Sequence, residues 1–532
     1  MKIRILLCHL IAWGWLSASA QNTFIHLDKP YYLAGEYLFY SFCNPDLPDD
    51  TLTVRVDLFN NESTIDYYYL KVNNKCGDGY IKLPFDLPSG IYRLMLWVVT
   101  QKTYEVQEIA EINIPIYNDQ DLAELTAKVK DENNRPEQFE SNSTPRKFEI
   151  RQEVDLIVKL PEDSSDPIER ISVSIRDLTP YRTGVKSVFQ SRANLNGQSN
   201  MQGIPVFGTR SVDDVKSIKN PLLFAYNPAN MLYDGTKVMD DGRFDLTIHS
   251  FYGENPVSFL DYVGNDISIK SQERFIHPEI QEELEIDSTI LNHLKNYQEE
   301  KQINRLFKQV AISPEYDSMV YANPLEKPSS FVDVQDYAIR GTSIDLFREI
   351  TTNLKFRPAG GGDYRARMIY EYNGITKFYS RSPLFIVNGK ATRDGNFVAK
   401  LPLQDIAFFR IYSDYEFLEK LSPMAHGGIV YVDMLDPNYE LPELQSLPSL
   451  NVRGLQRPLI YPVGLKRQSD SPAIGSLLYW HPDAKREDDQ VTLHFQTGDI
   501  ASEYLVEIVL YRGQDGSIET IRQVIKVDSP DN

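Results

Sequence analysis

His26-Leu27-Asp28-Lys29-Pro30-Tyr31-Tyr32-Leu33-Ala34-Gly35-Glu36-Tyr37 opens the first folded part of this 532-residue chain. Pro30 stiffens the entry, Gly35 permits a tight turn, and Glu36 starts the next strand. That strand is Tyr37-Leu38-Phe39-Tyr40-Ser41-Phe42, and further strand runs lie at 52–58 and 91–97. Gly77-Asp78-Gly79 and Pro88-Ser89-Gly90 punctuate them. Short strands at this spacing predict a β-sandwich over residues 21–118.

Upstream, residues 1–20 read as a secretory signal. Lys2 and Arg4 precede the apolar stretch 5–15, and Ser17-Ala18-Ser19-Ala20 supplies small residues for cleavage before Gln21. The apolar run is about half the length needed to span a bilayer, and no later stretch approaches that length. Downstream, residues 119–147 are polar and read as a linker. Alternation resumes at 154–160 and 171–177, and residues 148–272 read as sandwich material with a long insertion, one domain or two. Residues 280–434 change character. An imperfect helical stripe covers 289–310, a short helix fits 343–354 with Thr342 or Ser343 as N-cap, and strands follow at 366–372, 383–388, 405–412 and 428–434. Residues 435–468 are rich in Pro and Leu and read as an extended linker, and 469–532 as a closing β-sandwich. The fold class expected is mostly β, with tandem sandwiches and one small α+β domain.

The formal net charge is −20, with no basic run to offset it, so the chain repels phosphate backbones and nucleic acid is not an expected partner. Beyond the leader, histidines stand singly at 26, 249, 277, 293, 426, 481 and 494, and no Cys-x-x-Cys occurs, so the local zinc patterns are absent. His26 and His494 read as sheet histidines with ordinary partners. No Gly-x-Ser-x-Gly elbow and no phosphate-binding Gly-Lys-Ser/Thr loop occurs. Gly360-Gly361-Gly362 reads as a flexible connection after a helix. No catalytic residue, cofactor or metal site is assigned. Cys43 and Cys76 remain after leader removal; in an oxidising compartment a bond between them would close a loop of about 32 residues worth roughly 3 kcal/mol. Two separate buried thiols is the alternative.

The opening His26–Tyr37 run resembles the D-K-P-x-Y-x-x-G-E start of macroglobulin-type domains of the alpha-2-macroglobulin superfamily, and Leu87-Pro88-Ser89-Gly90-Ile91-Tyr92 resembles a later strand of the same domain. The thioester motif of protease-trapping members is absent, so that chemistry is not implied. Residues 343–350, Pro383-Leu384-Phe385-Ile386-Val387-Asn388-Gly389, 402–411 and 427–432 resemble, in order, the plug of TonB-dependent outer-membrane receptors. Fewer than a hundred residues follow, so no receptor barrel is implied. With Leu478-Tyr479-Trp480-His481-Pro482 and Phe495-Gln496-Thr497-Gly498-Asp499 near the end, the order of domains resembles a family of exported Bacteroidota proteins. Asp50-Thr51-Leu52, Asp287-Ser288-Thr289 and Asp317-Ser318-Met319 also resemble that phylum's O-glycosylation triplets.

These readings lead us to expect a non-catalytic envelope protein, in the periplasm or at the outer membrane, that binds a protein or glycan partner and does not itself span the membrane. An accessory subunit of an outer-membrane import or secretion complex is the alternative, with an outer-membrane barrel as partner. An enzyme with dispersed acidic residues is a third class, recognisable by carboxylates converging about 5 to 10 Å apart.

Overall fold

The structure, a computed structural model, describes residues 22–129, 145–161, 167–181, 186–192, 201–211, 222–261, 267–307, 314–317, 325, 327–441, 444, 446–465, 472–513 and 516–529. The expected leader and residues 130–144 of the expected 119–147 linker lie outside these residues; the rest corrects that linker, since Leu122–Ala127 is a helix with Leu125 buried and Arg146 begins a strand. The chain divides into two compact units, one built from residues 1–200, 277–318 and 456–532, the other from 201–276 and 319–455.

The first unit contains two sandwiches. In the first, a sheet ordered Val188–Arg192, Asn22–Leu27, Tyr37–Cys43, Cys76–Lys82 faces a sheet ordered Tyr32–Leu33, Val106–Tyr117, Gly90–Val99, Leu52–Phe59, Thr64–Val72. Leu38, Tyr40 and Phe42 point into their shared core with Val54, Val56, Leu94 and Ile112. The alternate residues Phe39 and Cys43 are buried too, in separate clusters on the other side of the same sheet. A strand covered on both faces carries apolar residues at successive positions, which is why this run lacks a polar face.

The second sandwich pairs distant stretches of sequence. Its six-stranded sheet runs Val463–Gly464, Leu477–His481, Ile168–Asp177, Ser502–Arg512, Ile518–Asp528, Arg146–Glu149, and Glu153–Lys159 pairs with Gln490–Gln496. Val154, Leu156 and Val158 meet Val173, Ile175, Val506 and Ile508 in its core. This corrects the expected closing sandwich over 469–532: its strands close only with residues 146–177. The expected 148–272 region is likewise shared out. Its first strands join the C-terminal ones, Val188–Arg192 joins the first sandwich, and 204–271 belongs to the other unit. Alternation shows that each segment is a strand but not which strand it pairs with.

Helix Ser288–Leu306 also corrects the expected 280–434 domain. Its buried Ile290, Leu291 and Leu294 cluster with Tyr31, Leu33, Tyr117 and Leu125 of the first unit. Its buried residues are confined to its first two turns, enough to dock on an existing surface but not to nucleate a core.

In the second unit, a five-stranded sheet runs Ser330–Asp333, Ile406–Tyr412, Ile429–Met434, Leu384–Val387, Lys390–Thr392. Helix Ser343–Glu349 follows Thr342, whose N–H donates to Asp345 at 2.8 Å, and its Phe347 stands edge-on to Phe409 of the sheet at 5.0 Å. Asn388 and Gly389 make the turn after Leu384–Val387, with φ of 45° and 80°. The expected strand 366–372 is not in this sheet. Leu354–Gly360, Asp363–Tyr372 and Ile375–Phe378 form their own three-stranded meander, because tight turns at Gly360-Gly361-Gly362 and Asn373-Gly374 fold each strand back on its neighbour. The glycine run therefore links two strands rather than following a helix. Two further sheets complete the unit: Arg243–Ile248, Ile204–Arg210, Ile269–Ser271, and Leu232–Lys237, Leu222–Asn227, Glu254–Asp261, Ser449–Arg453. The last strand falls within the expected 435–468 linker. The whole is mostly β, with tandem sandwiches and a small α+β part.

Candidate functional site

The polar residues that sequence reading passed over meet where the two sandwiches of the first unit stack. Along Ile168–Asp177, Ile171, Val173 and Ile175 face one core, so Ser172, Ser174 and Arg176 face the other way. They meet His26 and, from the neighbouring strand Ser502–Arg512, Glu507, which is fully buried. His26 Nδ1 lies 2.8 Å from Ser172 Oγ, and its Nε2 lies 3.6 Å from Glu507. Arg176 donates to Glu507 at 3.0 Å and to Ser174 at 2.8 Å; Arg522 donates to the other carboxylate oxygen at 2.7 Å; the Ser187 hydroxyl also donates to Glu507.

Burial alone would raise the Glu507 carboxyl, but Arg176, His26 and Ser187 together hold it well below the usual carboxylate range. Burial pushes His26 below its ordinary value against the pull of Glu507, so its ring is neutral near pH 7. Ser172, His26 and Glu507 have the residue types of a hydrolase triad. The cavity beside Ser172 and His26 is about 20 Å³, room for a water. The arrangement joins two sheets through compensated buried charge.

Above the network the same two sandwiches leave an open cleft of about 520 Å³. Asp78 is among its lining residues, accepting from Arg170 at 2.6 Å and from the Tyr461 hydroxyl at 2.9 Å. Arg170 also donates to the Pro482 carbonyl at 2.9 Å. One wall is the hairpin turn Asn73-Asn74-Lys75-Cys76, in which Asn74 and Lys75 take φ of 49° and 66°, the two-residue turn that suits twisted strands. Cys76 lies opposite Cys43 in register and is bonded to it, with Cα atoms 4.2 Å apart. Lys71, Glu169 and Asp483 are exposed along the rim. The walls are thus fixed by a covalent bond and an ion pair, and the lining offers carboxylates, amides and an amine.

Four of the histidines that stand singly in the sequence each meet a polar side chain from elsewhere in the chain. His249 pairs with Asp234, His277 with Asp57, His293 with Tyr31 and His494 with Asp155. Among the described residues no three His, Cys, Asp or Glu side chains converge as metal ligands. Of the triplets, Asp287 caps helix Ser288–Leu306 by accepting from the Ile290 N–H at 2.8 Å, and the Thr51 hydroxyl bonds Asn73 at 2.6 Å; the third lies partly outside the described residues. Sequence reading missed Arg176, Glu507, Asp78 and Arg170. One signal was available: Glu507 sits in mid-strand between the apolar same-face neighbours Leu505 and Val509, the mark of a buried carboxylate.

No family model matches the chain, and no curated protein does. Among solved structures, it is similar to the native conformation of Escherichia coli alpha-2-macroglobulin, at 8% identity and a TM-score of 0.24 over 96% of this chain and 40% of that one. Salmonella alpha-2-macroglobulin reacted with methylamine gives 8% identity and a TM-score of 0.22 over the same shares. A tetra-tandem repeat from the extending region of a large adhesion protein gives 9% identity and a TM-score of 0.14 over 95% of this chain and 99% of that one. The chain spans about two fifths of the length of those macroglobulins.

Proposed function

We propose that this chain is a non-catalytic binding or scaffold protein of the cell envelope, exported to the periplasm or outer membrane, that engages a protein or glycan partner through the Asp78–Arg170 cleft. The observation that carries the reading is the cleft itself. It is open, about 520 Å³, and lined by polar groups whose positions are held by a disulfide, an ion pair and a tight turn. Preorganised polar groups bind a hydrogen-bonding ligand without the entropy of ordering them first.

The test is co-purification from detergent-solubilised outer membranes followed by mass spectrometry, comparing wild type with Lys71→Glu/Asp483→Arg. Both positions are exposed rim residues, so the fold is spared. A partner retained by wild type and lost by the variant supports the reading. Equal recovery by both, or nothing retained by wild type above background, overturns it.

A further inference from the structure

The three-stranded meander of the second unit carries a cationic face in an otherwise acidic chain. In its register Lys355 stands opposite Arg367, and Arg357 opposite Arg365. Paired residues share a face, and in a strand so do residues two apart, so all four cations project from one side. The other side holds Leu354, Ala366 and Met368, buried in the unit's core. Arg357, Arg365 and Arg367 are exposed, and none of the four cations is ion-paired with a carboxylate among the described residues. Arg357 instead lies over the ring of Phe378, 4.9 Å from its centroid, and Phe378 is 42% exposed and paired with Ile369 on the same face.

Like charges set directly opposite each other destabilise a sheet. Two such pairs lie two residues apart on a strand whose only carboxylates on that face, Asp363 and Glu371, flank them without an ion pair to either, so folding does not explain them. We infer that this face is a docking surface for an acidic, extended segment of a partner protein. Two charge rows one strand repeat apart lie about 6.4–6.8 Å from each other, and alternate side chains of an extended peptide repeat at that same spacing. Arginine forks suit carboxylates, and three of the four cations are arginine. Ile369 and Phe378 beside them decide for a polypeptide over an acidic glycan: arginine together with aromatic groups is the composition of protein hot spots, and an isoleucine offers a sugar neither a hydrogen bond nor a stacking plane. The inference extends the binding role proposed above to a second surface.

The test uses the purified full chain and a fluorescent peptide in which Glu alternates with Val, read by anisotropy at several salt concentrations. A heparin-derived oligosaccharide is run in parallel, and self-association is followed by sedimentation. Peptide binding that weakens with salt, and weakens about tenfold or more in Arg365→Gln/Arg367→Gln, is the expected result. The variant's melting temperature should hold or rise, since a repulsive pair is relieved, whereas a structural role for these arginines would lower it. Peptide binding unchanged by the substitutions, oligosaccharide binding without peptide binding, or self-association alone overturns the inference. The cleft variant Lys71→Glu/Asp483→Arg should bind the peptide as wild type does, so a failure here is separable from a failure of the cleft reading.

Discussion

Replacing Glu507 by Gln removes one charge from the buried network while keeping its shape. Glu507 is fully buried and compensates Arg176, whose side chain is itself 4% exposed. Without the carboxylate's charge, Arg176 keeps only neutral acceptors among the described residues: the new amide oxygen, Ser174, Ser187 and the Asp28 carbonyl at 3.3 Å. Breaking a buried pair from one side costs about 3–5 kcal/mol. Arg522 adds little, since its side chain is 42% exposed and solvent screens the pair. Replacing both partners with apolar residues of similar volume, Arg176→Met/Glu507→Leu, should recover most of that loss, because the desolvation of two charges disappears with them. Urea unfolding followed by tryptophan fluorescence measures this. The tryptophans beyond the expected leader are Trp97 and Trp480, both in the first unit, and Trp480 lies 5.1 Å from His26 between ring centroids. A loss below about 0.5 kcal/mol for Glu507→Gln, or a double variant as unstable as the sum of its singles, would refute the account of the network.

Reducing the Cys43–Cys76 bond should lower the stability of the first unit by about 3–4 kcal/mol, from the loop of sequence separation 33 that it closes; an unchanged unfolding midpoint after reduction would contradict this. Burial pushes His293 down to about 4, below its ordinary 6.5. The folded form therefore binds fewer protons there, and its stability contribution is present above pH 6.5 and lost as pH falls toward 4, which acid unfolding of wild type against His293→Gln checks. Glu300, on the same helix, has the opposite sign. Burial, with Glu36 and Asp177 nearby and Lys29 opposing, pushes it up to about 7, so its stability contribution is present below pH 4.5 and lost as pH rises through 7. Glu300→Gln should accordingly stabilise the first unit by about 2–3 kcal/mol at pH 8 and leave it unchanged at pH 4, measured by urea midpoints at the two pH values.

Local order was legible in the sequence. Strand-forming runs between turn residues located Tyr37–Cys43, Leu52–Phe59 and Gly90–Val99, and Asn388-Gly389 announced its turn through the positive φ it needs. Pairing was not legible. Glu153–Lys159 finds Gln490–Gln496 more than three hundred residues away, and no periodicity carries that information. The same limit hid the buried network: Ser172, Ser174 and Arg176 alternate with apolar residues as a solvent-facing edge would, and only the stacked first sandwich turns that face into an interior. Helix Ser288–Leu306 was visible as a helix, but its partner surface, around Tyr31 and Tyr117, lies far upstream. The cleft escaped for the same reason, since Asp78, Arg170 and Asp483 are distant in sequence and meet only after the sandwiches stack.

Cross-linking in cells tests the binding role most directly. A photo-reactive residue placed at Lys71 or at Asp483, on the cleft rim, should capture the same partner species. One placed at Ile157, 45% exposed on the far sheet of the second sandwich, should not. Capture of one shared species from both rim positions and none from Ile157 is the predicted result. Equal capture at all three positions, or none at either rim position, would contradict it.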